Sequence, residues 1–230
     1  MATWVVLPTY NEAANIADVI QRVLAIVPAE ILVVDDNSPD GTGQIVDHLA
    51  ATDKHIHIIH RAGKLGFGSA YQDGFQRALE RGAETVVQLD ADGSHDPVLI
   101  PEMISALAQA DLVLASRYVS GGRFPIVWHR RVISLIGNWY IRLMLGWAVH
   151  DWSTGYKVWR ADLLRRVLAE PKQGVGYAWL METTWIARRL GGRIREIPLV
   201  FRERQGGQSK FSWRIAAEDL SLAWKLSHRG

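Results

Sequence analysis

The chain has 230 residues, of which 48% are hydrophobic and 22% are charged; this balance is typical of a globular protein and excludes wholesale disorder. The 26 lysines and arginines exceed the 24 acidic residues by only two, so net charge gives no support for nucleic-acid binding. Cysteine is absent, which excludes disulfides, thiolate zinc sites and cysteine catalysis. The first residues read as a buried strand rather than a signal peptide, and no window predicts a transmembrane span.

Short apolar runs alternate with helical patterns through the first half of the chain, which predicts βαβ units and a mostly parallel sheet. The predicted strands are Thr3–Leu7, Ile31–Val34, His55–Ile59, Thr85–Leu89 and Asp111–Ala115. The predicted helices are Asn11–Val27, one capped by Ser38 with Pro39 in its first position, Ser69–Arg81, and one opened by Asp96 and Pro97.

The regular alternation ends at Arg117. The later helices are predicted at Trp128–Leu145, Ala161–Leu168, Ala178–Leu190 and Trp213–Leu226, and the later strands at Tyr156–Trp159 and Arg193–Val200. Five arginines and no acidic residue occur from Leu112 to His150, and nine of the ten tryptophans lie at or after Trp128. This composition fits an anionic partner at a water–lipid boundary, or equally a tryptophan-rich core with surface arginines.

Polar residues follow four of the predicted parallel strands. In open α/β sheets, ligands bind beyond the carboxyl ends of the strands. Asp, Asn and Ser also form turns and helix caps, but four such strand ends in one sheet indicate a site. The segments are Pro8–Glu12, Asp35–Asp40, Asp90–His95 and Ser116–Tyr118.

The sharpest of these features is Asp90-Ala91-Asp92. Residues two apart on an extended chain point the same way, and two neighbouring carboxylates raise each other's pKa unless a cation lies nearby. Hard oxygen ligands suit Mg²⁺ or Mn²⁺, so the pair predicts a metal–diphosphate site. Asp35 and Asp36 with Glu12 can accept hydrogen bonds from a nucleoside, or can equally be local caps.

Two glycine-containing loops invite a phosphate-binding interpretation. The run Gly63–Gly68 lacks the residue order of a phosphate loop, so it predicts a flexible loop before a helix that starts at Ser69. In the loop near 204–210, Arg204 and Lys210 flank two glycines, which fits a lid over a diphosphate or simply an exposed charged loop. The histidines read as structural, and no serine lies in a hydrolase elbow.

Taken in order, these motifs resemble glycosyltransferase family 2 and, within it, the polyprenol-phosphate mannosyltransferases. The resemblance covers nearly the whole chain and rests on an ordered set rather than on one motif. Its members are Leu7–Glu12, Val33–Thr42, Asp90–Asp92, Ser116–Tyr118 with Gly121-Gly122, Arg130–Ser134, Asp151–Tyr156, Gly176-Tyr177 with Glu182, and Arg204–Lys210.

The resemblance implies one domain of the GT-A type, a Rossmann-like, mostly parallel α/β sheet flanked by helices. Residues 1–117 would bind the nucleotide sugar, and residues 118–230 would bind the acceptor. The implied partners are GDP-mannose, Mg²⁺ or Mn²⁺, and a polyprenyl (dolichyl-type) phosphate. The implied location is the cytoplasmic membrane surface, where the chain would bind peripherally, by itself or through a separate anchoring subunit.

The resemblance also implies roles for single residues. Asp90, Asp92, Arg117 and Arg130 would be catalytic, and Arg117, Arg130 and Ser134 would bind the acceptor phosphate. Asp92 would be the main metal ligand with Asp90 and Ser94, the last standing where many relatives have Gln. The residues implied for the nucleotide sugar are Pro8, Tyr10, Glu12, Val34, Asp36, Asp90, Ala91, Asp92, Arg204 and Lys210.

The chemistry of a phosphate acceptor agrees with the motifs. A phosphomonoester has its second pKa near about 6, so it is mostly dianionic at neutral pH and needs no strong general base. In-line attack on an α-linked donor predicts inversion to a β-linked product. The alternatives are a family relative with another donor such as UDP-glucose or with a soluble acceptor, and a binding protein without catalysis.

Overall fold

The computed structural model describes residues 2–123, 128–174, 176, 178–200 and 213–229, with backbone alone for 128–131, 213–217 and 219. Within these residues the strands are β1 (Thr3–Thr9), β2 (Glu30–Asp35), β3 (Ile56–His60), β4 (Thr85–Gln88), β5 (Leu112–Ser116), β6 (Lys157–Arg160) and β7 (Ile194–Pro198). The helices are α1 (Ile16–Ile26), α2 (Thr42–Thr52), α3 (Phe67–Glu80), α4 (Ile100–Ala106), α5 (Trp128–Leu145), α6 (Ala161–Ala169), α7 (Ala178–Arg189) and α8 (Trp213–Ser227).

The strands form one sheet in the order β3-β2-β1-β4-β6-β5-β7. Strand β6 runs antiparallel to its neighbours β4 and β5, and the other pairs are parallel. The loop before an antiparallel strand lies at the edge where its parallel neighbours end. The segments that follow Gln88 and Ser116 and the segment that precedes Lys157 therefore meet at one edge of the sheet.

Helices cover both faces of this sheet. Helices α1, α2 and α4 pack on one face through residues such as Ile16, Val46 and Met103. Helix α3 and helices α5 to α8 pack on the other face, where Phe75 and Trp179 belong to the core. Strand β1 is buried along its whole length, as expected for a parallel strand covered on both sides. The predicted fold, a single mostly parallel α/β domain, is confirmed.

Two predicted helix starts are wrong, for different reasons. Helix α1 begins at Ile16 rather than Asn11, because Asn11 adopts a left-handed conformation with φ 60°. Helix α2 begins at Thr42, so Ser38 does not cap it and Pro39 does not open it. The Ser38 hydroxyl instead donates to Asp35, which ties the loop that contains Ser38 to the end of β2.

Other predictions are confirmed within a few residues. Helix α5 has the predicted bounds, Trp128–Leu145. The side chain of Asp96 caps the 3-10 turn Pro97–Leu99 that leads into α4, accepting from the backbone N–H of Val98. Helix α3 starts at Phe67, two residues before the predicted Ser69.

Candidate active site

Asp35, the last residue of β2, connects the end of β1 with the loop that follows β2. Its Oδ1 accepts the Thr9 hydroxyl at 2.8 Å and the Ser38 hydroxyl at 2.6 Å, and its Oδ2 accepts the Ser38 backbone N–H at 2.9 Å. Asn37 adopts φ 57° in the same turn, a conformation that asparagine tolerates better than most residues. The buried carboxylate of Asp35 therefore shapes the loop, and this favours the local role that the sequence left open.

Asp40 connects the same two loops on their outer side. Its carboxylate accepts the backbone N–H groups of Ala13 and Thr42, each at 3.0 Å, while the Thr42 hydroxyl accepts the N–H of Glu12. Burial raises the pKa of Asp40, but the hydrogen bonds from Thr42 and Ala13 outweigh it and hold the pKa below its usual value. Asp40 is therefore ionised at neutral pH and fixes the backbone that carries Glu12.

Asp36, predicted to contact the nucleoside, is buried and bonded on both oxygens. Arg61 Nη1 donates to Oδ1 at 2.5 Å, and the N–H of Gly66 donates to Oδ2 at 3.0 Å. The Arg61 guanidinium also pairs with Asp73 of α3 at 3.0 Å. Asp36 thereby attaches the loop after β3 to the end of β2.

The remaining nucleoside residues lie beside Asp36 at different depths. Pro8 and Val34 are buried neighbours in β1 and β2, and the Val34 side chain packs against α3 at Gly74. Gly74 has to be glycine, because a Cβ there would overlap the Val34 and Val6 side chains. Tyr10 is half-buried in the loop after β1. Among these three predicted residues, the aromatic ring of Tyr10 is the group that a base can stack on.

Asp90, which follows β4, has a fixed carboxylate. The Tyr71 hydroxyl of α3 donates to its Oδ1 at 2.8 Å, and its backbone N–H donates to His95 Nδ1 at 3.2 Å. That bond leaves the proton of a neutral imidazole on Nε2, which lies 4.0 Å from Asp90 Oδ2. A Cβ on Gly155 would come within 3.3 Å of the same oxygen. The sequence predicted Asp90 but missed the residues that orient it.

Asp92, Ala91 and Ser94 lie in one tight turn after Asp90. Gly93 adopts φ 75° in this turn, and the backbone N–H of Ser94 donates to Asp92 Oδ1 at 3.0 Å. All three side chains are largely buried. The turn brings the predicted metal residues together in sequence order, with Asp92 and Ser94 in direct contact.

The donor set of this turn fits a metal that arrives with a diphosphate. Asp90, Asp92 and Ser94 offer carboxylate and hydroxyl oxygens, which Mg²⁺ and Mn²⁺ prefer. Among the described residues, no group of three or more His, Cys, Asp or Glu side chains could hold an ion by itself. Mg²⁺ is commonly held by one or two carboxylates together with substrate phosphates and water, which is the arrangement that these residues suit.

Arg117, which follows β5, forms a buried two-pronged ion pair with Asp151. Its Nε donates to Oδ2 and its Nη2 donates to Oδ1, both at 2.7 Å, and Nη2 also donates to the Ser153 hydroxyl at 2.8 Å. Burial raises the pKa of Asp151, but the Arg117 charge outweighs it, so the pKa lies below its ordinary value. Both groups are therefore charged at neutral pH, and the guanidinium plane is fixed.

Glu196 of β7 holds the segment that carries Asp151. Its Oε2 accepts the His150 backbone N–H at 2.8 Å and His150 Nδ1 at 2.7 Å, while its Oε1 accepts the Asp151 N–H at 2.9 Å. Asp151 belongs to a motif of the resemblance, so the sequence contained a signal for it. Glu196 lies inside an ordinary strand, and no sequence pattern indicates its role.

Tyr118 connects the end of β5 with helix α5. Its hydroxyl lies 2.6 Å from the Ser134 hydroxyl, and its ring lies 5.3 Å from the Arg117 guanidinium carbon. Burial raises the pKa of Tyr118, so this hydroxyl keeps its proton at neutral pH. The structure thus brings the predicted acceptor residues Arg117 and Ser134 to the two sides of Tyr118.

The side chains of three further predicted residues lie outside what the structure describes. Arg130 lies in α5 about one turn before Ser134, but only its backbone is described. Arg204 and Lys210, with the predicted lid near 204–210, lie outside the described residues.

Helix α5 presents an apolar stripe to solvent. The exposed side chains recur at helical spacing, and we call the set Val132, Leu135, Ile136, Trp139 and Leu143 the α5 stripe. A groove of about 420 Å³ beside the stripe is lined by Tyr118, Leu135, Ile136, Asn138, Trp139 and Arg142. Contiguous exposed apolar surface commonly marks a binding face. In the described part of the chain, no helix is long and apolar enough to cross a membrane.

The described tryptophans divide between the core and the surface. Trp152, Trp159 and Trp179 are buried in the core. Trp139 and Trp147 are about half exposed at 55% and 51%, and both lie on or just after α5. The core interpretation is therefore confirmed for the three buried rings, and the boundary interpretation stays a prediction for the two exposed ones.

Lys157 of β6 is a fully buried lysine that the sequence analysis missed. Its Nζ donates to the Leu180 carbonyl at 2.5 Å and to the Thr184 hydroxyl at 2.8 Å, both in α7. Burial lowers the pKa of Lys157 to about 7, against an opposing effect of Asp151. The amine holds α7 against the middle of the sheet.

Comparison with known proteins agrees with this architecture. The family model described as "Glycosyl transferase family 2" matches residues 4–168. The chain is 42% identical to an undecaprenyl-phosphate mannosyltransferase from Micrococcus luteus, covering 100% of this chain and 96% of that protein. It is also 42% identical to a polyprenol monophosphomannose synthase from Mycolicibacterium smegmatis, covering 99% and 88% of the two chains.

Solved structures show the same fold at low sequence identity. A mannosyltransferase from Pyrobaculum calidifontis, in complex with GDP-mannose and Mn²⁺, matches with a TM-score of 0.65 and 20% identity, covering 99% of this chain and 73% of that one. A glucosyl-3-phosphoglycerate synthase from Mycobacterium tuberculosis, with Mn²⁺ and UDP, matches with a TM-score of 0.72 and 20% identity, covering 99% and 80%. The matched family model and the full-length relatives settle the assignment that the motifs indicated: the chain belongs to glycosyltransferase family 2 and has its GT-A fold.

Proposed function

We propose that this protein transfers mannose from GDP-mannose to a polyprenyl (dolichyl-type) monophosphate, with inversion and with Mg²⁺ or Mn²⁺. The names of the two relatives at 42% identity support the sugar and the lipid acceptor. The observation that carries the proposal is that acidic residues and an arginine lie at the same edge of the sheet. Asp90 and Asp92 follow β4, Arg117 follows β5, and the segment before β6 lies between them.

The donor is assigned to residues 1–117. The base and ribose would lie against Tyr10 and Glu12 near Asp36, with Pro8 and Val34 forming the floor beneath them. The diphosphate would lie along Asp90, Ala91 and Asp92, with Arg204 and Lys210 assigned to its other side.

The acceptor is assigned to residues 118–230 together with Arg117. The guanidinium of Arg117 is oriented by Asp151, and Ser134 lies nearby on the other side of Tyr118. We assign the acceptor phosphate to Arg117, Arg130 and Ser134, because guanidinium groups bind phosphate through charge-assisted hydrogen bonds. The α5 stripe would meet the membrane surface or the lipid chain, and we assign the protein a peripheral position on the cytoplasmic side of the membrane.

The transfer is a substitution at the anomeric carbon of the sugar. An acceptor phosphate oxygen forms the new bond to that carbon, and the bond to the β-phosphate oxygen of the donor breaks with its electron pair leaving on GDP. A divalent ion held by Asp92, with Asp90 and Ser94, would neutralise the charge of the departing diphosphate. Tyr71 keeps the Asp90 carboxylate in position, and Asp151 keeps Arg117 aimed at the incoming anion. The acceptor is already ionised, so no side chain has to remove a proton.

Radiolabelled GDP-mannose and a short polyprenyl phosphate test this proposal directly. We expect label to enter the lipid fraction, to do so only with added Mg²⁺ or Mn²⁺, and to stop when a chelator is added. NMR of the product should show a β-linked mannose. Transfer from UDP-glucose but not GDP-mannose, transfer to a soluble acceptor alone, or a retained α-anomer would each contradict the corresponding part of the proposal.

A further inference from the structure

The loop after β3 is built into the donor site, although its sequence predicts only a flexible connection. Arg61, whose side chain is 6% exposed, anchors its beginning through Asp36 and Asp73. Gly66 anchors its end, because its N–H donates to the other oxygen of Asp36 at 3.0 Å. Both ends of the segment 61–66 are thus bonded to Asp36, the residue that follows β2.

The middle of this loop reaches Tyr10. Lys64 Nζ lies 4.0 Å from the centre of the Tyr10 ring, a cation–π contact between the loops after β3 and β1. Lys64 is itself exposed, so its ammonium group can move without disturbing packed side chains. An exposed cation therefore contacts the aromatic ring on which the base of a nucleotide would stack.

Strand order decides which part of a nucleotide Lys64 can meet. The sequence of strands is β3, β2, β1, β4, so the loop after β3 and the carboxylates after β4 are three strand spacings apart, about 14 Å. The diphosphate is assigned to Asp90 and Asp92 at the β4 end. The loop that carries Lys64 follows β3, on the side of β1 away from β4, where the base would extend.

We propose that Lys64 selects the nucleobase of the donor by donating a hydrogen bond to the O6 atom of a guanine that stacks on Tyr10. This inference rests on the proposed function, in which the base is guanine. Guanine presents two acceptors, O6 and N7, side by side, and lysine is a common partner for them. Adenine presents an amino donor in place of O6, which would face the ammonium group unfavourably. Lys64 would therefore favour guanine over adenine.

The test is equilibrium binding to the whole protein by calorimetry, with GMP, GDP and 2-aminopurine riboside monophosphate, a purine that lacks O6. Lys64→Met removes the charge and keeps an apolar stem. We expect the variant to bind GMP and GDP about tenfold more weakly than wild type, which is the usual effect of losing one charge-assisted hydrogen bond. The affinities of wild type and Lys64→Met for the 2-aminopurine nucleotide should agree within about a factor of two, because this base lacks the atom that Lys64 would contact. Lys64→Arg should retain most of the preference, and the matched control Lys54→Met, at another exposed lysine, should change nothing.

The outcomes separate this inference from the proposed function. A loss for GDP but not for GMP would assign Lys64 to the β-phosphate and overturn the inference. An equal loss for the 2-aminopurine nucleotide, or no loss at all, would overturn it as well. If wild type binds UMP but not GMP, the proposed donor is wrong. In that case the UMP affinities of wild type and Lys64→Met are compared, since uracil also presents a carbonyl acceptor. Weaker UMP binding by the variant would support a contact between Lys64 and the base, and an unchanged affinity would overturn it.

Discussion

Arg117 and Asp151 meet through two parallel hydrogen bonds of 2.7 Å, and the carboxylate has no exposed surface. A buried pair of this kind stabilises little compared with an apolar pair, but removing one member leaves an uncompensated charge. The pair therefore does more to orient Arg117 than to stabilise the fold. Its position beside Ser153 and Tyr118 makes it the rigid part of the assigned acceptor site.

Replacing the Asp151 carboxylate should affect both the acceptor site and stability. We expect Asp151→Asn to lower the free energy of unfolding by about 3 kcal/mol, because Arg117 loses its buried counter-charge. The KM for polyprenyl phosphate should rise while the KM for GDP-mannose stays near its wild-type value. Urea unfolding and steady-state kinetics measure the two effects. The control is Asp162→Asn, which belongs to an exposed ion pair with Arg165; it should lose less than about 1 kcal/mol and leave both KM values unchanged.

The hydroxyl of Tyr71 should matter for metal use rather than for packing. Tyr71→Phe removes the 2.8 Å bond to Asp90 but keeps the ring stacked on Trp179. Groups that orient a metal ligand typically contribute about tenfold or more to metal affinity, so the Mn²⁺ concentration for half-maximal activity should rise by that factor. Tyr156→Phe is the control, since its hydroxyl bonds the Asp96 carbonyl instead. Equal Mn²⁺ dependence in both variants would remove Tyr71 from the metal site.

Lys157 should give the fold a pH dependence above neutrality. Its pKa is about 7 in the folded chain and near 10.5 when exposed, so between these values the unfolded chain binds more protons. Stability then rises with pH in this window, by at most about 1.4 kcal/mol per unit. We expect the unfolding free energy of wild type to increase relative to Lys157→Met as pH goes from 7 to 10. A difference that stays flat across this range would show that the buried amine does not titrate there.

The α5 stripe should control membrane contact without affecting the donor. We expect the double variant Trp139→Ser, Leu143→Ser to bind less to vesicles that contain an anionic lipid and polyprenyl phosphate, because it removes exposed apolar surface. Calorimetric binding of GDP should be unchanged. Val98→Ser, at an equally exposed apolar residue outside the stripe, is the control for a general loss of hydrophobicity. Vesicle flotation would measure the binding, and unchanged flotation of the double variant would contradict the assignment.

The sequence predicted the elements well because their signals are local. Apolar periodicity located helix α5 to the residue, and Asp96 before Pro97 marked the turn that opens α4. The error at Ser38 has a different origin. Its hydroxyl had two available roles, and the choice depended on Asp35, whose carboxylate is positioned by the pairing of β1 with β2.

The sequence indicated candidate site residues where polar groups are concentrated in one segment. Asp90, Asp92 and Arg117 stood out because they follow apolar strands and belong to motifs of the family. Tyr71 and Glu196 were missed because each supports the site from a distant helix or strand. Such contacts depend on how elements pack against each other, and a single sequence contains no periodic signal for them.

The reversed strand β6 also sets an order for folding. Strand β4 pairs with β1 on one side and with β6 on the other, so one of its edges stays uncovered during synthesis until Lys157–Arg160 has left the ribosome. An unpaired strand edge is a template for association with other chains. In a chain that ends before β6, this edge of β4 would therefore be open to pairing with another chain.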